Sequence, residues 1–185
     1  MAPKPVATDG FISVDVGGQI AMPPPAFRAY LKENPLTDHL EPSGSIAEPV
    51  DIVMLRGTWP EPDATRRVEL SDGHYVIERA VEDRPDLFRY QIYHFTNEAG
   101  RGVDQIVGEM RFLETPGGGT DWQWSYNVRP KNWLTRPFVA RFVERELRPY
   151  LEGGAAGMTA AANAAATGAG TAAPEAASEA VGADG

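Results

Sequence analysis

At 185 residues, with 42% hydrophobic and 23% charged side chains, the chain has the size and polarity of one globular domain with some tail. A formal charge of −9 argues against a nucleic-acid partner, which needs a basic face toward phosphate, and the lack of cysteine excludes disulfides and thiolate metal sites. No apolar run reaches the roughly 20 residues of an integral membrane span, and Met1 to Val6 lack the apolar core of a secretory signal, so a cytoplasmic location is expected.

In chain order, residues 1–9 are polar and proline-containing and read as a flexible N-terminus. Phe11 to Ile20 alternates Ile12, Val14 and Val16 and reads as a strand, with a bulge or twist at Gly17-Gly18. Pro25 opens a short helix to about Glu33, carried by Ala26, Phe27, Tyr30 and Leu31, and Pro35 to Leu40 reads as a second helical turn. After a loop over Glu41 to Pro49, short strands follow at Val50–Trp59, Thr65–Leu70, His74–Glu82, Leu87–Phe95 and Val103–Leu113. Pro-, Gly-, Asn- and Asp-rich turns separate them, so an antiparallel meander is expected.

Thr120 to Val128 is the most regular segment. Thr120, Trp122, Trp124, Tyr126 and Val128 share one face, with Asp121, Gln123, Ser125 and Asn127 on the other. Such an aromatic face either walls a cavity for a flat or apolar molecule or packs a helix onto the sheet. A helix follows, with Thr135 as N-cap and Pro137 in its first turn, and an apolar stripe through Phe138, Val139, Phe142, Val143, Leu147, Tyr150 and Leu151. Pro149 and Gly153-Gly154 predict a stop near Arg148. Residues 10–152 are thus expected to form the domain. Residues 153–185 read as a largely disordered Ala/Gly-rich tail, although Met158 to Ala166 has the composition to extend the helix.

Gly57-Thr58-Trp59, the run Ala64 to Gly73, Glu78, Phe88-Arg89-Tyr90, Gly108, and Gly118-Gly119-Thr120 ahead of Trp124 lie in a telling order. Their order and spacing resemble the polyketide cyclase/dehydrase branch of the START-like, birch-pollen-allergen-like (SRPBCC) superfamily, over about Phe11 to Leu151. The resemblance implies an α+β helix-grip fold. In it, a curved antiparallel β-sheet wraps around a long C-terminal α-helix, with two short helices after the first strand and a deep apolar cavity between sheet and helix. It favours the cavity reading of the aromatic face.

Strand parity then selects the inward side chains. Tyr90, Ile92, His94, Met110, Phe112, Trp122, Trp124 and Tyr126 are candidate ligand-binding residues, with Trp59 at the mouth. Arg66 is placed to hold a carbonyl or enolate oxygen, Tyr90 to donate a hydrogen bond, and Glu78 or His94 to act as base, so Arg66, Glu78 and Tyr90 are the catalytic candidates. Each has a plainer role, above all Arg66 and Glu78 as a structural ion pair. His39, His74 and His94 are too scattered for a metal site, and phosphate-cradling and nucleophile-elbow motifs are missing, so no cofactor is expected.

Three functional readings remain open. The chain binds a hydrophobic small molecule (a lipid, polyketide or aromatic metabolite); the same pocket catalyses cyclisation or dehydration without a cofactor; or the chain is a non-catalytic accessory protein acting through a protein partner. Sequence assigns neither the ligand nor the oligomeric state.

Overall fold

A computed structural model describes residues 4–98 and 100–168. Seven strands form one antiparallel sheet: β1 (Ile12–Ile20), β2 (Pro49–Arg56), β3 (Thr65–Leu70), β4 (Tyr75–Arg84), β5 (Leu87–Tyr93), β6 (Val103–Glu114) and β7 (Thr120–Pro130). Their spatial order is β1-β7-β6-β5-β4-β3-β2, so β2 to β7 are the expected meander and β1 closes on its last strand. Helix α1 (Pro24–Glu33) and a 3-10 turn (Leu36–His39) lie between β1 and β2. The register of β7 against both neighbours is regular, with Trp124 opposite Val16 on β1 and Met110 on β6. A one-residue slip would turn the aromatic face to the other side of the sheet, and the observed pairing keeps Trp122, Trp124 and Tyr126 buried on one face.

The helix after β7 differs from expectation in three ways. Thr135 stands at its N-cap position but makes no side-chain cap bond. Its hydroxyl instead donates to the Asn132 carbonyl at 3.0 Å. Nor does the helix stop near Arg148: α2 (Arg136–Phe142) passes through a π-helical turn (Val143–Leu147) into α3 (Arg148–Ala166). Pro149 falls in the first turn of α3, where its missing N–H is tolerated and the wider turn just before it makes room for the ring.

The third difference is that residues 153–166 dock on the domain. Small residues, not large apolar ones, make this docking possible. A Cβ at Gly154 would lie 2.5 Å from Leu40 Cδ2, and one at Gly18 would lie 2.4 Å from Thr159 Oγ1. Backbones approach closely there, and Met158 and Ala162 become fully buried. The remainder of the expected tail, from residue 169, lies outside the described residues.

Residues 4–9 are also held rather than loose. Gln91 and Gln105 are buried on the sheet face turned away from the C-terminal helix. Gln91 Nε2 donates to Gln105 Oε1 at 2.7 Å. Gln105 Oε1 also accepts the Ala7 N–H at 3.0 Å, and Gln105 Nε2 donates to the Pro5 carbonyl at 3.2 Å. Lys4 pairs with Asp104 at 2.6 Å. Polar side chains buried with partners are costly to orphan. Gln105→Ala is therefore expected to lower stability by about 1–3 kcal/mol in urea unfolding and to expose residues 4–9 to proteolysis.

Candidate functional site

Sheet and C-terminal helix do not close on each other completely. Between them lies a cavity of about 600 Å³, within the size range of small-molecule sites. Strands β3 to β7 supply its floor, the α1 and 3-10 region one side (Leu31, Leu36, Leu40), and the C-terminal helix its roof (Phe142, Leu147, Tyr150). Most of the lining is apolar. One group of exceptions gathers on β3, β4, β5 and β7 and on the helix above them, while Arg28, Lys32, Thr37 and Asn97 stand elsewhere on the lining.

Arg66 and Glu78 face each other across the β3–β4 pair. Arg66 Nε donates to Glu78 Oε2 at 2.7 Å, and a second guanidinium nitrogen reaches the same oxygen at 2.7 Å. The guanidinium also lies over the Trp59 ring, 3.8 Å from its centroid, where the ring face favours a cation. Trp59 in turn meets Phe88 and Tyr90 edge-on, so one aromatic chain connects the ion pair to the cavity floor.

Tyr90 is the centre of the second polar group. Trp124 Nε1 donates to its hydroxyl at 2.8 Å, and its ring meets Tyr126 edge-on at 6.2 Å. Between Tyr90 and Tyr126 in register stands Gly108. A Cβ there would come within 2.3 Å of Tyr90 Cζ, so the glycine is the space the Tyr90 ring occupies.

Burial, then the Glu78 carboxylate, pushes the Tyr90 hydroxyl well above the usual phenol range. Burial does the same to Tyr126, reinforced by Tyr90 and Glu78, and to Tyr150, reinforced by Glu78 and Glu48. All three hydroxyls therefore stay neutral, each with a proton available for a hydrogen bond. A phenol whose folded pKa is raised adds stability that is complete below its unfolded value near 10 and is lost as pH rises. Ultraviolet titration should find Tyr90, Tyr126 and Tyr150 protonated until the fold itself opens, above about pH 11.

Of the residues singled out from sequence, Trp59, Arg66, Glu78, Tyr90, Ile92, Met110, Phe112, Trp124 and Tyr126 line this one cavity. Two do not. Strand β5 ends at Tyr93, and His94 takes a positive φ of 58° that turns it out of strand alternation. It is exposed and stacks on Tyr75. Trp122 shares the face of Trp124, yet it lies beyond the cavity, packed edge-on against Phe27 and donating to Thr159 Oγ1 at 3.2 Å. Its role is to fasten the helix to the sheet. Tyr150, read from sequence only as part of the helix stripe, is a polar lining group that sequence reasoning passed over, as are Arg28, Lys32, Thr37 and Asn97.

No family model matches the chain, and no curated protein does. Solved structures do. The Zhui aromatase/cyclase from Streptomyces sp. R1128 superposes with a TM-score of 0.64 at 14% identity, over 86% of this chain and 98% of that one. Ara h 8.0201 gives 0.59 at 18% identity, over 82% and 97%. The di-domain ARO/CYC StfQ of the steffimycin biosynthetic pathway gives 0.60 at 14% identity, over 85% of this chain and 52% of that one. Together with the curved antiparallel sheet, the long C-terminal helix and the cavity between them, these likenesses give the chain a helix-grip α+β fold.

Proposed function

We propose that this chain binds a hydrophobic small molecule carrying one oxygen-bearing polar end, of the polyketide or aromatic class. The observation that supports it is the gathering of Arg66, Glu78, Tyr90, Tyr126 and Tyr150 in a mostly apolar cavity of about 600 Å³. Apolar walls supply affinity by removing surface from water, and a few convergent donors fix orientation. Neutral tyrosines and a guanidinium suit a carbonyl or phenolic oxygen. Two of the similar structures are described as aromatase/cyclases, which points the same way.

The same geometry supports a second reading, cofactor-independent cyclisation or dehydration. The donors would hold a developing enolate oxygen while the Glu78 carboxylate takes up a proton. An open cavity, on the other hand, withdraws the solid packing that would favour a role through a protein partner alone.

Native mass spectrometry of freshly purified protein, with extraction of anything bound, tests the first reading. A discrete apolar, oxygen-bearing mass is the expected result. Variants then separate the two readings. Glu78→Gln and Tyr90→Phe should each reduce a carrier's affinity modestly, whereas in an enzyme they should spare binding and abolish turnover of the identified compound. A protein that neither carries nor takes up any apolar oxygenated compound would refute both.

A further inference from the structure

The turn from β7 into α2 carries the most exposed apolar side chains of the described residues. Trp133 is 80% exposed, Phe138 76% and Leu134 60%. Trp133 and Leu134 lie in the turn itself and Phe138 in the first turn of α2, so the three exposed side chains fall within six residues of one another on this tip.

Charge gives this tip a polarity. The whole chain carries −9, yet residues 129–141 hold Arg129, Lys131, Arg136 and Arg141 and no acid. Arg129 reaches Asp9 only at 3.8 Å. Lys131 and Arg136 donate to backbone carbonyls, of Arg101 and Gly10 respectively, which anchors the tip without cancelling its charge. We propose that the tip docks on the surface of an anionic lipid bilayer, with Trp133, Leu134 and Phe138 entering the interface and the flanking cations meeting the headgroups.

Tryptophan with adjacent Lys and Arg is the composition of a bilayer interface, and cations near an anionic surface add attraction one by one. The acidic remainder of the molecule is repelled by the same surface, so the tip leads. A second copy is a poor fit, since two such tips repel each other. Three protruding side chains also offer far less than the area of a stable protein interface.

The tip adjoins one end of the cavity. A side chain at Gly102 would meet Val139 Cγ2 at 3.0 Å, and Asn97 and Gly100 of that same β5–β6 loop line the cavity. A docked bilayer would thus lie beside the compartment that holds an apolar ligand. The proposal does not depend on what that ligand is.

Co-sedimentation of the full chain with vesicles tests it. One set is phosphatidylcholine, the other an equal mixture with phosphatidylglycerol. Binding to the mixed vesicles alone is expected, weakened by salt and reduced at least about tenfold in a Trp133→Ser, Leu134→Ser, Phe138→Ser variant whose circular dichroism is unchanged. Tryptophan emission should shift to the blue on binding, and Trp133→Phe should remove that shift. Failure of the folded wild type to bind mixed vesicles would overturn the proposal. So would equal binding by the triple variant, or a loss in that variant of self-association rather than of vesicle binding.

Discussion

Arg66→Met is expected to destabilise the fold by about 2–3 kcal/mol at neutral pH, because it leaves the Glu78 carboxylate against apolar walls without its counter-ion. The figure sits below the full cost of breaking a buried pair, since the Arg66 and Glu78 side chains are 17% and 11% exposed. Adding Glu78→Leu to Arg66→Met should recover most of the loss, because an apolar pair of similar volume suits the site at least as well as an ion pair. Urea unfolding of the two variants and the wild type at neutral pH measures both effects. If Arg66→Met alone proved as stable as the wild type, the pair would be a surface contact with no hold on the cavity.

The pair's cost is also its functional meaning. Two apolar residues at 66 and 78 would fold the sheet as well, so the stability of the chain does not require a charged pair beneath Trp59. A guanidinium facing a cavity that also holds three neutral phenols makes sense as recognition of an oxygen atom.

Gly108→Val is expected to cost about 2–3 kcal/mol and to abolish ligand uptake. Tyr90 is the flexible partner in principle, but its ring is confined by Phe88, Trp59, Tyr126 and the Trp124 hydrogen bond. Any valine at 108 must push it into the cavity and break the bond from Trp124, orphaning a buried indole N–H. Tyr90→Phe alone should lose only about 1–3 kcal/mol, through that same indole, and should keep the cavity's volume. Thermal unfolding and uptake of an apolar fluorophore by the two variants distinguish a lost hydrogen bond from a filled cavity.

Much of the fold was legible because period-2 alternation is strongest where a strand has one buried face, as β7 has along its whole length, whereas Gln91, Gln105 and Val107 bury part of the second face of β5 and β6. The same periodicity located most of the cavity wall. It names a side of the sheet, however, and not a position beneath the helix. Trp122 and Trp124 are therefore equivalent in sequence although only Trp124 reaches the cavity. His94 escaped because parity holds only while the strand lasts, and one residue past Tyr93 the backbone turns left-handed. The continuation through Pro149 was hidden because a π turn, which leaves no compositional trace, absorbs the proline. The docking of residues 4–9 depends on hydrogen bonds to Gln91 and Gln105, and polar pairing across a hundred residues has no local pattern.

The central claim, that the cavity takes a flat apolar molecule with one oxygen, can be tested at a single methyl group. Met110 lines the cavity, whereas Met158 is fully buried elsewhere in the core. In protein labelled at its methionine methyls, naphthol should shift the Met110 resonance by its ring current and leave Met158 in place, with naphthalene binding more weakly for want of the hydroxyl. An unmoved Met110 at saturating naphthol, or equal shifts at Met110 and Met158, would contradict it.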